Sequence, residues 1–378
     1  MSKAAELAAL IGSQTALSNR NLIINGAMQV AQRGASAVTV SDGSNEGYTT
    51  VDRYYLNFNA SIGGAIAVSQ STDTPSGFAN SIKLDCTTAN TSISGTQMID
   101  LQHRFEAQDL QQLGFGSSDA QPITVSWYMK AVSFSDNISV TLNTRDGTKE
   151  YFVKSFTPTT SWARYTMTVP GSTSATIDNN NGEGLRLSWV VAGSSSGTHA
   201  ASSDSTAFST TRADYRNDIG NLTASTDNEL YITGVQLELG EQATPFEHRS
   251  FGDELRRCQR YYWKSVNHDT TPANNIANSN NLHSDGYGSW TAYATTNART
   301  PYFPHPVAMR AAPTVTLYSS ERANTAGKTA IFNGTWGAVS SNATQQNENR
   351  FAIYCASSGL TANNSYLFAG GWACDSEL

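Results

Sequence analysis

The sequence predicts an all-β protein: a jelly-roll β-sandwich followed by a short junction helix and a smaller distal β domain. Three observations lead there. Short runs alternate apolar and polar residues along most of the chain, and clusters of turn-forming residues separate them. Ser, Thr and Asn fill roughly a third of the 378 residues, while charged residues make up 15%, below the usual ~25%. A surface kept soluble by hydroxyls and amides, with 29 glycines for turns, suits many-stranded folds. Finally, the alternation gives way to a helical spacing near Arg249.

Residues 1–20 read as a short amphipathic helix, with Leu7, Leu10 and Ile11 on its apolar side, and a linker. "NLIINGAMQVAQRG" (Asn21–Gly34) carries an Asn-Gly turn signal at Asn25-Gly26. Strands follow in "DRYYLNF" (Asp52–Phe58), "SIKLDCT" (Ser81–Thr87), "ITVSWYMKA" (Ile123–Ala131) and "NISVTLNT" (Asn137–Thr144). "WARYTMTV" (Trp162–Val169), "LRLSWVV" (Leu185–Val191) and "ELYITGVQLEL" (Glu229–Leu239) complete the series. Asp100–Gly116 reads either as a helix or as a strand followed by a helical turn. Ala201–Asp227 is poor in apolar residues and reads as a long loop, a kind that usually serves an interface or a function.

The switch lies in "GVQLELGEQATPFEHRSFGDELRRCQRYYWKS" (Gly234–Ser265). Val235, Leu237 and Leu239 alternate with Gln236 and Glu238, as a strand requires. Phe251, Leu255, Cys258 and Tyr262 then recur four, three and four apart, the spacing of one helix face. Ser250 with Asp253 approximates a capping box. The expected organisation is therefore 1–20 for attachment, 21–249 for the sandwich, 250–265 for the junction helix and 266–378 for the distal domain. In that distal part Asn274–Trp290 is polar and rich in Asn and Gly, and strands resume in "WTAYATT", "TVTLYS", "KTAIFNG", "RFAIYCA" and the final "SYLFAGGWACDSEL".

Composition narrows function mainly by exclusion. The net charge is −7, and no basic cluster exceeds Arg256-Arg257, so no long phosphate-neutralising groove is expected and no nucleic acid as partner. No apolar run approaches the ~18 residues of a membrane span, and the N-terminus has no convincing secretory core, so synthesis in a cytoplasm without membrane insertion is expected. Cys86, Cys258, Cys355 and Cys374 have no zinc-knuckle spacing and are expected reduced, with Cys258 buried and inert. The six histidines have no metal-ligand spacing to one another, so no metal and no cofactor is expected. Nucleophile-elbow, phosphate-loop and paired-histidine motifs are absent from the sequence, and no enzyme activity is expected. Asp285 and Glu183 are formal carboxylate candidates that read more simply as solvated turn residues.

Aromatic rings in polar loops are a better lead, because a sugar presents both an apolar ring face and hydroxyls. "HSDGYGSWTAY" (His283–Tyr293) is the best such stretch: Tyr287 and Trp290 for stacking, Asp285 as a hydroxyl acceptor. The competing reading places Trp290 and Tyr293 in the core of a distal sheet. Trp127 and Trp162 read as core positions of their strands, and Tyr261-Tyr262-Trp263 as packing of the junction helix.

Three stretches carry a resemblance. "NLIINGAMQVAQRG" followed by "VDRYYLNF" looks like the opening of many tailed-bacteriophage fibre proteins. "ITVSWYMKA", "TTSWARYTMTVP" and "YITGVQLELGEQATPFEHRSFGDELRRCQRYY" are similar to the jelly-roll module of those fibres, itself akin to carbohydrate-binding modules. "FPHPVAMRAAPTVTL" and "YLFAGGWACDSEL" resemble the distal domain in fibres of marine podovirus-like phages. The resemblance implies a virion component, commonly a homotrimer, held to other virion proteins by its N-terminus and recognising a host-surface glycan. A tail fibre or tail-tip receptor-binding protein is the leading expectation. A head fibre or capsid decoration protein is the first alternative, and a polysaccharide depolymerase the second. Where carbohydrate-binding modules often carry acidic residues on the closing strand, this chain has Thr233 and Gly234, so no structural calcium is carried over.

Overall fold

The computed structural model describes residues 19–378 apart from 60–61, 195–199, 202, 212–215, 218, 269, 275–287, 320–327, 333–334 and 358. The expected N-terminal helix therefore lies outside the described residues. The chain divides into two compact units. The first holds the described residues up to Gln29, Ala35–Phe251 and Leu378; the second holds Val30–Gly34 and Gly252–Glu377.

The first unit is a sandwich of two six-stranded antiparallel sheets. One contains β1 (Val38–Ser41), β4 (Ala65–Ser71), β5 (Ser81–Thr88), β14 (Glu229–Leu239), β7 (Ile123–Val132) and β10 (Ala163–Val169), in that spatial order. The other runs β2 (Gly47–Tyr48), β3 (Tyr54–Asn59), β6 (Met98–Glu106), β11 (Glu183–Gly193), β8 (Ile138–Thr144), β9 (Tyr151–Phe156). Alternation decides what faces inward. Ile123, Val125, Trp127, Met129 and Ala131 of β7 are all fully buried, as are Leu185, Leu187, Trp189 and Val191 of β11. Trp127 and Trp189 meet edge to face at 6.1 Å, joining the two sheets.

The Asp100–Gly116 ambiguity resolves as strand and turn: β6 ends at Glu106 and a 3-10 helix covers Ala107–Leu113, stopped by Gly114 at φ 62. The Ala201–Asp227 stretch is less loose than its composition suggested. It contributes the short parallel pair β12 (Ala200–Ala201) and β13 (Arg216–Asn217), and Ser209 pairs with Tyr151 of β9 through two backbone hydrogen bonds. Phe208 packs against Phe115 and Phe152, and Leu222 is fully buried.

Two of the quoted motifs meet along β14. Leu22 N–H donates to Leu237 O at 2.8 Å and Val235 N–H to Gly26 O at 2.9 Å. Buried Asn21 accepts at Oδ1 from the N–H groups of Ile23 and Leu237 and donates from Nδ2 to Val235 O. Arg249 donates to the carbonyls of Asn21 and Ile23, and Glu247 accepts from the Asn21 N–H. A side chain on Gly26 would overlap the Val235 carbonyl oxygen, which is why glycine stands in that turn. These motif residues are a clasp between segments more than 200 positions apart, so their role is structural.

The helix α1 spans Phe251–Gln259, with Asp253 and Glu254 in its first turn and Arg256 and Arg257 in its last, matching the helix dipole. Its buried side differs from the expected one. Glu254 and Cys258 are buried, Leu255 is only partly so, and Phe251 is 39% exposed. Tyr262 is not on the helix at all. The chain turns after Gln259 and Tyr262 enters β15 (Tyr262–Lys264).

In the second unit β15, β24 (Gly371–Asp375) and β19 (Thr314–Tyr318) form a three-stranded sheet. The remaining strands are β16 (Gly288–Ala294), β17 (Asn297–Arg299), β18 (Phe303–Pro304), β20 (Thr329–Phe332), β21 (Trp336–Thr344), β22 (Arg350–Ala356) and β23 (Ser365–Ala369). They run β17-β16-β23-β20-β21-β22-β18, and β17 also pairs with β22, so six strands close into a ring. Closure removes free strand edges. Its core holds Phe351, Ile353, Cys355 and Trp372. Tyr261 and Tyr262 are buried in this unit, and Trp263 donates from Nε1 to His305 Nδ1 at 2.8 Å. The segment Val30–Gly34 supplies Arg33, whose guanidinium lies 3.7 Å over the Tyr262 ring and pairs with Asp375 at 2.9 Å. All four cysteines are free and buried.

Candidate functional site

Side chains that alternate with the core residues of the second sheet form its outward face. Cross-strand register sets them in rows. Tyr55, Gln102, Ser188, Thr141 and Val153 make one row, and Arg104, Arg186, Asn143 and Tyr151 the next. Here the surface opens into a cleft of about 230 Å³ lined by Asn57, Asn59, Met98, Gln102, Asn143, Arg145, Lys149, Tyr151 and Arg186.

Most polar groups of the face are tied to each other. Asp100 accepts from Asn57 Nδ2 at 2.8 Å and from Gln102 Nε2 at 2.7 Å. Gln102 Oε1 accepts from Arg104 Nε at 3.0 Å and Nη2 at 2.8 Å, and the Arg104 guanidinium stacks 3.9 Å above the Tyr55 ring. Glu183 receives Arg186 through Nε at 2.6 Å and Nη2 at 2.8 Å, and Arg145 through Nε at 3.2 Å. Burial alone raises the Glu183 pKa, but the hydrogen bonds of Arg186 and the charges of Arg186, Arg145 and Arg104 outweigh it, and the carboxyl ends below its ordinary value.

Asn143 is the exception. It is 1% exposed, and neither its Oδ1 nor its Nδ2 has a hydrogen-bond partner. An unpaired buried amide costs about 1–3 kcal/mol, so a donor and an acceptor are held ready on the floor of the cleft.

A second cleft, of about 380 Å³, lies in the second unit between Tyr293, Arg299, Thr344, Gln345 and Tyr354. Tyr293 is 57% exposed; Tyr302 donates to Gln345 Oε1 at 2.6 Å, with Arg350 3.9 Å over its ring.

Of the residues singled out in the sequence, Asp285 and Tyr287 lie outside the described residues, and Trp290 is on β16, paired with Tyr366. Tyr293, set against a core reading above, is at the surface. Trp162 is not in the core: it precedes β10, is half-buried, and donates from Nε1 to Asp73 Oδ1 at 2.9 Å. Its parity matches Arg164, Thr166 and Thr168, so the alternation already placed it outward. Glu183 is no solvated turn residue, being held by arginines. Asn143, Gln102 and Arg186 were missed because each looks like an ordinary polar position of an alternating strand. Among the described residues no group of three or more His, Cys, Asp or Glu could hold a metal ion, and no helix is long and apolar enough to cross a membrane.

No family model matches the sequence, and no curated protein matches it. Among solved structures it is similar to a CBM4 protein at 12% identity and a TM-score of 0.30, over 57% of this chain and 98% of that one. A family 11 carbohydrate-binding module of Clostridium thermocellum matches at 10% and 0.29, over 56% and 99%. The enzymatically active domain of bacteriophage CBA120 tailspike protein 4 matches at 9% and 0.30, over 58% of this chain and 22% of that one. At TM-scores of this size the likeness says nothing about ligand or activity.

Proposed function

We propose that this chain is a glycan-binding virion protein of a tailed bacteriophage, a tail-fibre or tail-tip receptor-binding protein that attaches to a host-surface polysaccharide. The observation that carries glycan binding is Asn143, a buried amide with no partner at the base of an open, polar cleft. Hydroxyls both donate and accept, so one sugar ring can satisfy both ends of that amide. The virion assignment rests on the sequence resemblance of Asn21–Gly34 with Val51–Phe58, and of Tyr231–Tyr262, to phage fibres. We read the role as non-catalytic: Glu183, the carboxylate beside the cleft, is tied to two arginines that hold it ionised, which removes it as a general acid. A distal contribution from Asp285, Tyr287 and Trp290 belongs to the same proposal, and Tyr293 further along β16 presents an exposed ring.

The test is a glycan microarray probed with the purified chain and with Asn143→Val. The reading expects saturable binding to a subset of glycans, weakened about tenfold or more by a substitution that removes two hydrogen bonds. Binding to nothing, or equal binding by the variant, overturns it. Trp290→Ala on the same array separates a distal contact from the cleft. A homotrimer would raise avidity by roughly 10²–10⁴ where geometry allows. Light scattering should give three times the chain mass of 40.6 kDa; a clean monomer would sink that part. Electron microscopy of the virion distinguishes tail from head placement.

A further inference from the structure

We propose that the saccharide taken by the cleft is an acidic one, carrying a carboxylate or sulfate group; this rests on reading the cleft as a glycan site. The chain as a whole is anionic, with 24 Lys and Arg against 31 Asp and Glu. The cleft reverses that balance, since its lining includes Arg145, Lys149 and Arg186 and no carboxylate. Behind the lining, Arg104, Arg145 and Arg186 share the single carboxylate of Glu183. Two other acids point outward from β6. Asp100 is occupied by the amides of Asn57 and Gln102, and Glu106 by Gln108. Asp146 and Glu150, in the same turn as Arg145 and Lys149, are taken up by Asp178 N–H and by Ser172 and Ser174. Of the cations Arg104, Arg145, Lys149 and Arg186, three are at the cleft surface and no carboxylate is.

The arginines are not equivalent. Arg186 grips Glu183 with two N–H groups, which fixes it in place. Arg145 gives Glu183 only its Nε–H, and its terminal nitrogens make no hydrogen bond to the described residues. Those nitrogens form the planar fork that matches a carboxylate or sulfate. Asn143, two residues earlier and lining the same cleft, can take a hydroxyl of the same sugar. A neutral sugar would desolvate the cationic lining and return no countercharge, so an anionic group gives the favoured occupant.

The experiment is calorimetric titration of the full chain with a panel of uronate and sulfated oligosaccharides, each paired with its carboxyl-reduced or desulfated neutral counterpart. The expected result is that the acidic member of at least one pair binds about tenfold or more tighter, that added salt narrows the gap, and that Arg145→Gln closes it. Lys149 is exposed, so Lys149→Gln serves as the second variant, with an unchanged melting temperature showing that its fold is intact. Equal or tighter binding of the neutral members overturns the acidic assignment while leaving the glycan site standing. Binding of no member, acidic or neutral, counts against the glycan reading itself.

Discussion

On the outward face of the first sheet, most charges are closed on one another, although Arg164 leaves its buried Nε–H without a partner. Lys83 reaches Glu229 at 2.7 Å and Asp85 at 3.1 Å. Lys130 pairs with Asp73 and lies 4.7 Å over the Tyr231 ring, and Trp162 donates to the same Asp73. The hydrogen bonds of Lys130 and then Trp162 hold the Asp73 carboxyl below its ordinary value, despite some opposition from burial. The outward face of the second sheet is built from the same kind of alternating strand, yet it carries a cationic excess and a buried amide with no partner. Outward polar residues are therefore not one class. On the first face one guanidinium N–H is left over while its carboxylates and ammonium groups are paired. A face that leaves a desolvated group unmatched has surrendered stability that a ligand can restore.

The largest expected effect tests what both faces stand on. Trp127 is fully buried and contacts Trp189, Phe156 and Tyr165. Trp127→Ala should cost about 3–5 kcal/mol, read by chemical denaturation. A loss below about 1 kcal/mol would mean that the two sheets do not share one core.

Acid should come next. Burial above all, then the charge of Arg53, holds His103 well below its ordinary pKa, against a weaker opposite effect of the Ile24 carbonyl. The unfolded chain thus takes up this proton first. The stability it contributes is complete above about pH 6.5 and is lost as pH falls toward the folded value, by up to about 1.4 kcal/mol per pH unit. Melting curves from pH 8 to 5 should slope downward, and His103→Gln should flatten them in that window. At lower pH the carboxyls of Asp73, Glu183 and Glu229, all held below their ordinary values, add a loss of the same sign. A chain as stable at pH 5 as at pH 8 contradicts the placement of His103.

Substituting one residue on each outward face sharpens the comparison directly. Asn143→Val removes two unpaired polar atoms and supplies a strand-favouring side chain, so the unliganded protein should gain about 1 kcal/mol while losing its ligand. A destabilised Asn143→Val would show that the amide has partners in solution. Lys83→Met should do the reverse and lower stability, by about 1 kcal/mol or less because the pair is partly solvated. If the two shifts share a sign, the distinction between the faces fails.

Much of the fold was legible in the sequence because a strand's side-chain period is a local property. Val125, Trp127 and Met129 are buried and Ser126 and Tyr128 face outward as the alternation requires. Even Trp162 was placed correctly by parity and misread only because it is large and apolar. The junction was legible as a change of period, but its helix buries Glu254 and leaves Phe251 exposed, because neighbours rather than spacing decide which side of a short helix is covered. The residues of the cleft were not legible. Asn57 and Asn143 are more than 80 positions apart and look like any outward amide. Their meeting depends on the order β3-β6-β11-β8-β9, which no local pattern encodes. Which residues form strands, and which side chains turn away from the core, follows from local alternation along the chain. Which of those outward groups find partners is set by the folded sheet, since hydrogen bonding and charge balance depend on strands brought together from distant parts of the chain.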